Sequence, residues 1–166
     1  MRRYWIGWLV FVLMISGCGY RLTGGGALPK DVKQVFVAMF ENRTDETGAE
    51  SILTNDLIYE FTRNGTLAGT EHRADARLAG VIESVSKGTI SRISTNTSQE
   101  RRVSLVVSLR LTGSDGTLLW SKRMSDNEVF LVEIDRETTD RNRRAAVRKL
   151  SKRLAEKAYY RLTDQF

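Results

Sequence analysis

Between residues 102 and 112 the chain alternates: Val103, Leu105, Val107, Leu109 and Leu111 fall on one side, and Ser104, Ser108 and Arg110 on the other. A period of two marks a strand with one face in a core and one in water. Residues 32–40 are rich in β-branched and aromatic side chains, with Val35, Val37 and Met39 alternating against Phe36, Ala38 and Phe40. Both faces are apolar there, which predicts a strand buried by a helix on one side and partly covered on the other. Residues 77–86 alternate more loosely, Leu78, Gly80 and Ile82 facing one way and Ala79, Val81 and Val85 the other. A fourth strand is predicted over 117–124, with Leu119 or Trp120 inward, after the hairpin-type turn Gly113-Ser114-Asp115-Gly116. Residues 128–132 extend it past a bulge.

Two segments follow a helical period instead. Ile52, Leu53, Leu57, Ile58 and Phe61 share one face, and Asn64-Gly65 supplies a stop. Ahead of them lies a polar turn, residues 41–46, and then Thr47 and Glu50 at the spacing of a capping box. From about Thr139 a second stripe begins: Val147, Leu150, Leu154, Ala158 and Leu162. A helix of about 24 residues there would be roughly 36 Å long. The order is therefore βαβββα. A crossover helix makes the first two strands parallel, and the remaining strands meander. The predicted fold is α+β, a two-layer sandwich of a four-stranded mixed sheet covered on one face by two helices.

The start of the chain belongs to a different pattern. Arg2 and Arg3 precede twelve apolar residues, 4–15, and small residues then lead to Cys18. These are the three parts of an export signal, and the run is short for a membrane span of about 20 residues. Ile15-Ser16-Gly17-Cys18 resembles a bacterial lipobox, which implies signal peptidase II cleavage and diacylation of Cys18. The expected division is a signal peptide at 1–17, a lipidated tether at 18–30 containing Gly24-Gly25-Gly26 and the sole proline, and one domain at 31–166. Cys18 is the sole cysteine, so the domain stands on packing without disulfides. Gly19 in place of aspartate resembles the outer-membrane sorting pattern of enteric bacteria.

Charge is uneven. Of the net +6, two charges sit in the leader, and residues 140–166 carry nine basic side chains against three acidic ones. A basic helix fits nucleic acid, an anionic lipid surface, an acidic partner, or an ordinary solvated face. Export from the cytoplasm argues against nucleic acid. Little points to catalysis or to a metal or cofactor: His72 stands alone in a charged loop, no glycine-rich segment has the phosphate-loop pattern, and the serines lack an ordered base.

Cys18-Gly19-Tyr20, Phe40-Glu41-Asn42-Arg43-Thr44, Leu53-Thr54-Asn55-Asp56-Leu57 with Asn64-Gly65, and Ala74-Asp75-Ala76 leading to Leu78-Ala79-Gly80 follow one another along the chain. In that order they resemble the outer-membrane lipopolysaccharide-assembly lipoprotein family, LptE. The resemblance implies a non-enzymatic, lipid-anchored protein at the outer membrane. It also implies a plug within a large β-barrel partner, assisting that barrel's assembly and contacting lipopolysaccharide on its way to the surface.

In the predicted topology Arg43, Lys87, Arg92, Arg101 and Arg136 are drawn towards one end of the sheet. Lys87 and Arg92 fall in a Ser/Thr-rich stretch, residues 86–98, whose hydroxyls add donors for phosphate and sugar oxygens. The family's basic lipid contacts lie near this loop and before the last helix, which nominates Lys87, Arg92 and Arg136 as lipopolysaccharide-binding residues. The competing expectation is that these are solvated loop charges. A different class of envelope lipoprotein, activating a cell-wall synthase or serving a curli-type secretion system, also begins with a strand and a Phe-x-Asn-x-Thr turn.

Overall fold

The computed structural model describes residues 28–29, 32–91 and 99–164. The predicted leader, Cys18 and most of the tether lie outside the described residues, as does Arg92. The elements are β1 (Val35–Val37), β2 (Glu41–Asn42), α1 (Ala49–Arg63), a 3-10 turn (Glu71–Arg73), β3 (Ala76–Ser91), β4 (Gln99–Gly113), β5 (Leu118–Val132) and α2 (Arg136–Thr163). The sheet order is β1-β3-β4-β5, with β2 also pairing with β3. Both short strands run parallel to β3, and β3, β4 and β5 form an antiparallel meander. This is the predicted mixed α+β arrangement, with a fifth, two-residue strand where the sequence reads as a polar turn.

Alternation in β4 builds the core, since Val103, Leu105, Val107, Leu109 and Leu111 are all buried. They pack with Leu78 and Ile82 of β3 and with Trp120, Met124 and Phe130 of β5. Helix α1 contributes Leu53, Leu57 and Phe61, and α2 contributes the whole predicted stripe. The two helices run side by side in the same direction. Asp56 on α1 accepts a hydrogen bond from Ser151 Oγ on α2 at 2.5 Å. Farther along both, Phe61 meets Tyr159 edge-on with ring centroids 5.1 Å apart.

Three local expectations are corrected. Thr47 and Glu50 form no capping box: the cap is Gly48, at φ 87°, without a side-chain cap bond. Glu50 is drawn instead to Asn42, whose Nδ2 donates to it at 2.7 Å. Val85 does not share a face with Ala79 and Val81. A register shift between Ile82 and Ser84 inserts one residue, and Val85 then pairs with the core residue Leu105. Strand β5 runs unbroken from Leu118 to Val132, and the irregularity lies earlier, where Leu111 pairs with Trp120 but Thr112 with Leu118.

That unbroken strand depends on charge. Asp126 and Glu128 pair with the core residues Leu105 and Val103, which puts two carboxylates on the helix-facing side of β5. Helix α2 answers them at four-residue intervals. Lys149 Nζ lies 2.5 Å from Glu128, Arg153 bonds both carboxylates, and Lys157 Nζ lies 2.8 Å from Asp126. The helix also covers the strand's free edge: Arg153 Nη2 donates to the Asn127 carbonyl at 2.6 Å and Asn142 Nδ2 to the Leu131 carbonyl at 3.1 Å. An uncovered edge would present unpaired backbone groups to any passing strand.

Partial burial works against ionisation of Asp126, but hydrogen bonds from Lys157, Arg153 and the Asn127 N–H outweigh it and hold the carboxyl at about 2. An unfolded aspartate titrates near 3.9, so the folded state binds this proton less tightly. The resulting stability is complete above about pH 5 and is lost as pH falls from there towards 2. Allowing for solvent screening of the half-exposed Lys157, it is worth about 1–2 kcal/mol. Urea midpoints measured from pH 6 to pH 2.5 should fall less steeply in Asp126→Asn than in the parent. An identical pH slope in the two proteins would remove this assignment.

Candidate functional site

The motif Phe40 to Thr44 joins the first strands to α1, and each of its side chains has a structural task. Phe40 is buried, and its backbone N–H donates to Thr54 Oγ1 at 3.1 Å. Asn42 Oδ1 accepts from Thr44 N at 3.0 Å and Thr44 Oγ1 at 2.7 Å, a self-contained turn. Asn42 Nδ2 also donates to the Glu46 carbonyl, which fixes the entry to α1. Arg43 is bound by Glu41, with Nε 2.8 Å from Oε1. Its backbone N–H reaches the Ile82 carbonyl, so it lies level with the middle of β3 rather than with the strand's far end. The structure thus separates Arg43 from the other nominated cations.

Lys87, Arg101 and Arg136 do come to one end of the sheet. Lys87 pairs with Val103, and Arg101 sits between Thr89 and Phe130 in the ladder. Arg136 opens α2 just after β5 ends, where Asp135 caps the helix by accepting from the N–H groups of Glu137 and Thr138. The side chain of Asp135 is held below the ordinary carboxylate range by Thr138, through its hydroxyl and its N–H. Lys87, Arg101 and Arg136 are exposed and have no carboxylate partner among the described residues.

A cleft of about 330 Å³ opens beside Lys87, walled by Asp45 and Glu46 on one side and by Arg143, Arg144 and Arg148 of α2 on the other. Arg143 is neutralised: it bonds Glu46, and its Nε lies 3.7 Å from Asp140. Arg144 and Arg148 are exposed and unpaired among the described residues, so with Lys87 they leave three cations facing one free carboxylate, Asp45. Sequence reasoning placed Arg144 and Arg148 within a basic helix but not beside Lys87. Only the β3–α2 proximity brings them together. The packing of α2 on β5, by contrast, commits Lys149, Arg153 and Lys157 to Asp126 and Glu128 as structural partners.

This end is suited to holding an anion by charge and hydrogen bonding. Among the described residues no cluster of three or more His, Cys, Asp or Glu side chains could hold a metal. His72 is exposed in the 3-10 turn, its Nε2 3.4 Å from the Thr70 hydroxyl. On the helix-free face Ser108 donates to Glu83, and Arg123 Nε approaches the same carboxylate at 2.6 Å. Those hydrogen bonds, from Ser108 first and Arg123 second, lower the Glu83 pKa and make it a poor base for the serine. No described helix is long and apolar enough to cross a membrane.

The fold is shared with solved lipoproteins. Lipoprotein B from Nitrosomonas europaea superposes with a TM-score of 0.58 at 14% identity, covering 87% of this chain and 90% of that one. The rare lipoprotein B from Shewanella oneidensis gives 0.53 at 12% identity, over 73% and 88% of the two chains. A minor lipoprotein from Acinetobacter baumannii gives 0.52 at 12% identity, over 81% and 93%. No curated protein matches the chain in sequence. The lipopolysaccharide-assembly family model, however, matches residues 32–162, from just before β1 almost to the end of α2. The chain belongs to that family, LptE.

Proposed function

We propose that this protein is an outer-membrane lipoprotein, anchored through lipid on Cys18, that plugs and assists assembly of a lipopolysaccharide-translocating β-barrel. It acts without catalysis, contacting lipopolysaccharide as the lipid is inserted at the cell surface. The family match over residues 32–162 carries the reading. The unpaired cations at the sheet end support it, because phosphate-bearing lipid favours guanidinium and ammonium groups that have no internal carboxylate to displace. Lys87, Arg92 and Arg136 are the proposed contacts, with Arg144 and Arg148 in the adjoining cleft.

Reversing charge at Arg92 and Arg136 together should weaken lipopolysaccharide binding by about tenfold or more at low salt. The loss should shrink as screening shortens the reach of charge from about 10 Å at 0.1 M ionic strength to 3 Å at 1 M. Unchanged binding in the folded double variant would refute the assigned residues. Purification of the full chain from membranes tests the partner: recovery with a large heat-modifiable barrel supports the proposal, and recovery with a cell-wall synthase or a secretion pore sinks it.

A further inference from the structure

Helix α2 closes only the half of the β5 edge that ends at Val132. There Arg153 and Asn142 take the carbonyls of Asn127 and Leu131, and the Asn127 N–H donates to Asp126 Oδ1 at 2.8 Å. In an antiparallel pair the N–H and C=O of a residue point the same way, towards the partner strand or away from it, and the direction alternates along the strand. The β4–β5 register is unbroken from Trp120 to Val132. Ser121, Arg123 and Ser125 therefore share the outward direction of Asn127 and Leu131. Their backbone N–H and C=O groups have no partner among the described residues. Over about 14 Å of strand the backbone offers a donor and an acceptor at every second residue.

An open edge invites pairing, and the side chains around it decide what can pair. Lys122 and Met124 lie opposite the buried Leu109 and Val107, on the face towards α2, so Ser121, Arg123 and Ser125 lie on the helix-free face. Arg153 and Lys157 reach β5 from α2, and at three- and four-residue spacing Tyr160 and Arg161 continue that row. Tyr160 is 53% exposed. Lys122 and Arg161 are exposed and have no carboxylate partner among the described residues. Arg123 is tied to Glu83 at 2.6 Å and Lys157 to Asp126 at 2.8 Å, yet their side chains stay 68% and 51% exposed. The acid on the same row of α2 is Asp164, at the helix C-cap. Cations thus predominate around the open edge.

A second copy fits this edge poorly. Antiparallel pairing centred on Lys122 or on Arg123 sets that cation opposite itself, and like charges directly opposite are destabilising. The tether, residues 18–30, fits no better, since it carries Arg21 and Lys30 and no acid. An extended segment with acidic side chains at alternate positions meets both demands: its backbone completes the ladder, and its carboxylates meet Lys122 and Arg161. We infer that the β5 edge from Ser121 to Ser125 takes an extended acidic segment of a partner protein as an added strand. This edge lies towards the Leu118 end of β5, away from Lys87, Arg101 and Arg136, so a partner held here leaves those cations open.

The test uses the full chain in neutral detergent and three synthetic peptides of equal length. One alternates glutamate with valine, one alternates lysine with valine, and the third is the glutamate peptide with its backbone nitrogens methylated, which removes its ladder donors. Amide hydrogen exchange should slow at Ser121, Arg123 and Ser125 when the glutamate peptide is added. The lysine and methylated peptides should bind about tenfold more weakly or worse. Ser125→Pro deletes an outward N–H and no ladder bond, a place where edge strands tolerate proline, and it should abolish binding while circular dichroism shows the fold retained. Lys122→Glu combined with Arg161→Glu, which leaves the backbone edge intact, should shift the preference to the lysine peptide. Equal binding of the glutamate and methylated peptides, slowed exchange confined to other residues, or no binding of the glutamate peptide by the parent overturns the inference. So does a parent that sediments as a dimer with these three amides already protected, which would assign the edge to a second copy.

Discussion

Replacing Phe61 by alanine should remove about 3–5 kcal/mol of stability, the range for truncating a fully buried aromatic side chain. Phe61 has no solvent exposure, and its ring meets Tyr159 at an interplanar angle of 82°. It stands where α1 and α2 meet above the sheet, so the loss combines apolar transfer, an unfilled cavity and an edge-to-face contact that adds about 0.5–1.5 kcal/mol in favourable cases. Neighbours cannot readily close the gap, since Leu57 and Leu162 are themselves buried in the same core. Domains of this size are stable by about 5–15 kcal/mol in total, so the variant would sit near the threshold for folding at 37 °C. Urea unfolding followed by circular dichroism measures it. A loss below about 1 kcal/mol would mean that Phe61 is not the keystone its burial makes it.

The second large effect is expected at Gly80, for the opposite reason. Adding even a Cβ there would bring it within 2.6 Å of Phe40 Cζ and 2.7 Å of Cδ2, with Cε2 nearer still. The Phe40 ring fills the hollow that the missing side chain leaves above β3, and it is itself only 3% exposed. Gly80→Val should therefore cost about 2–3 kcal/mol by overpacking, because the ring must leave its place or β3 must bend. Pairing it with Phe40→Leu should recover part of that loss, a coupling of about 0.5–3 kcal/mol between residues in direct contact. Strict additivity of the two substitutions in urea unfolding would show that the ring and the glycine do not constrain each other. The contact also gives physical meaning to two of the motifs that carry the family resemblance. Phe40 belongs to one and Gly80 to another, and each is the shape the other requires.

Where one period ran uninterrupted, sequence and structure agree. The alternation of β4 and the stripe of α2 were legible residue by residue, because packing against a single core leaves no other placement for those side chains. Disagreement arises where a neighbour outside the local window decides. Ser125-Asp126-Asn127 reads as a bulge, whereas the strand runs straight through it because Lys149, Arg153 and Lys157 are set against the core-facing carboxylates Asp126 and Glu128. Val85 changes face because a bulge at Glu83 shifts the count, and a bulge leaves no mark in a hydrophobic pattern. The apparent capping box failed because Asn42, eight residues away, takes Glu50. At the candidate site, basic residues could be named but not grouped. Nothing local to Lys87 announces Arg144 and Arg148, which reach it only through the packing of α2 along the sheet.

The side chains with which α2 covers the free edge of β5 also link acidity to solubility. Arg153 and Asn142 occupy carbonyls that a further strand would otherwise pair with, so the helix does for β5 what a sixth strand would do. Arg153 is held there by Asp126 and Glu128, both of which lose their negative charge in acid. When those carboxylates take up protons, the helix loosens and the backbone rim beneath it is bared in the same event. As the pH falls towards 2 the protein should therefore become sticky before it becomes unfolded, with copies pairing strand to strand along the half of β5 nearest Val132.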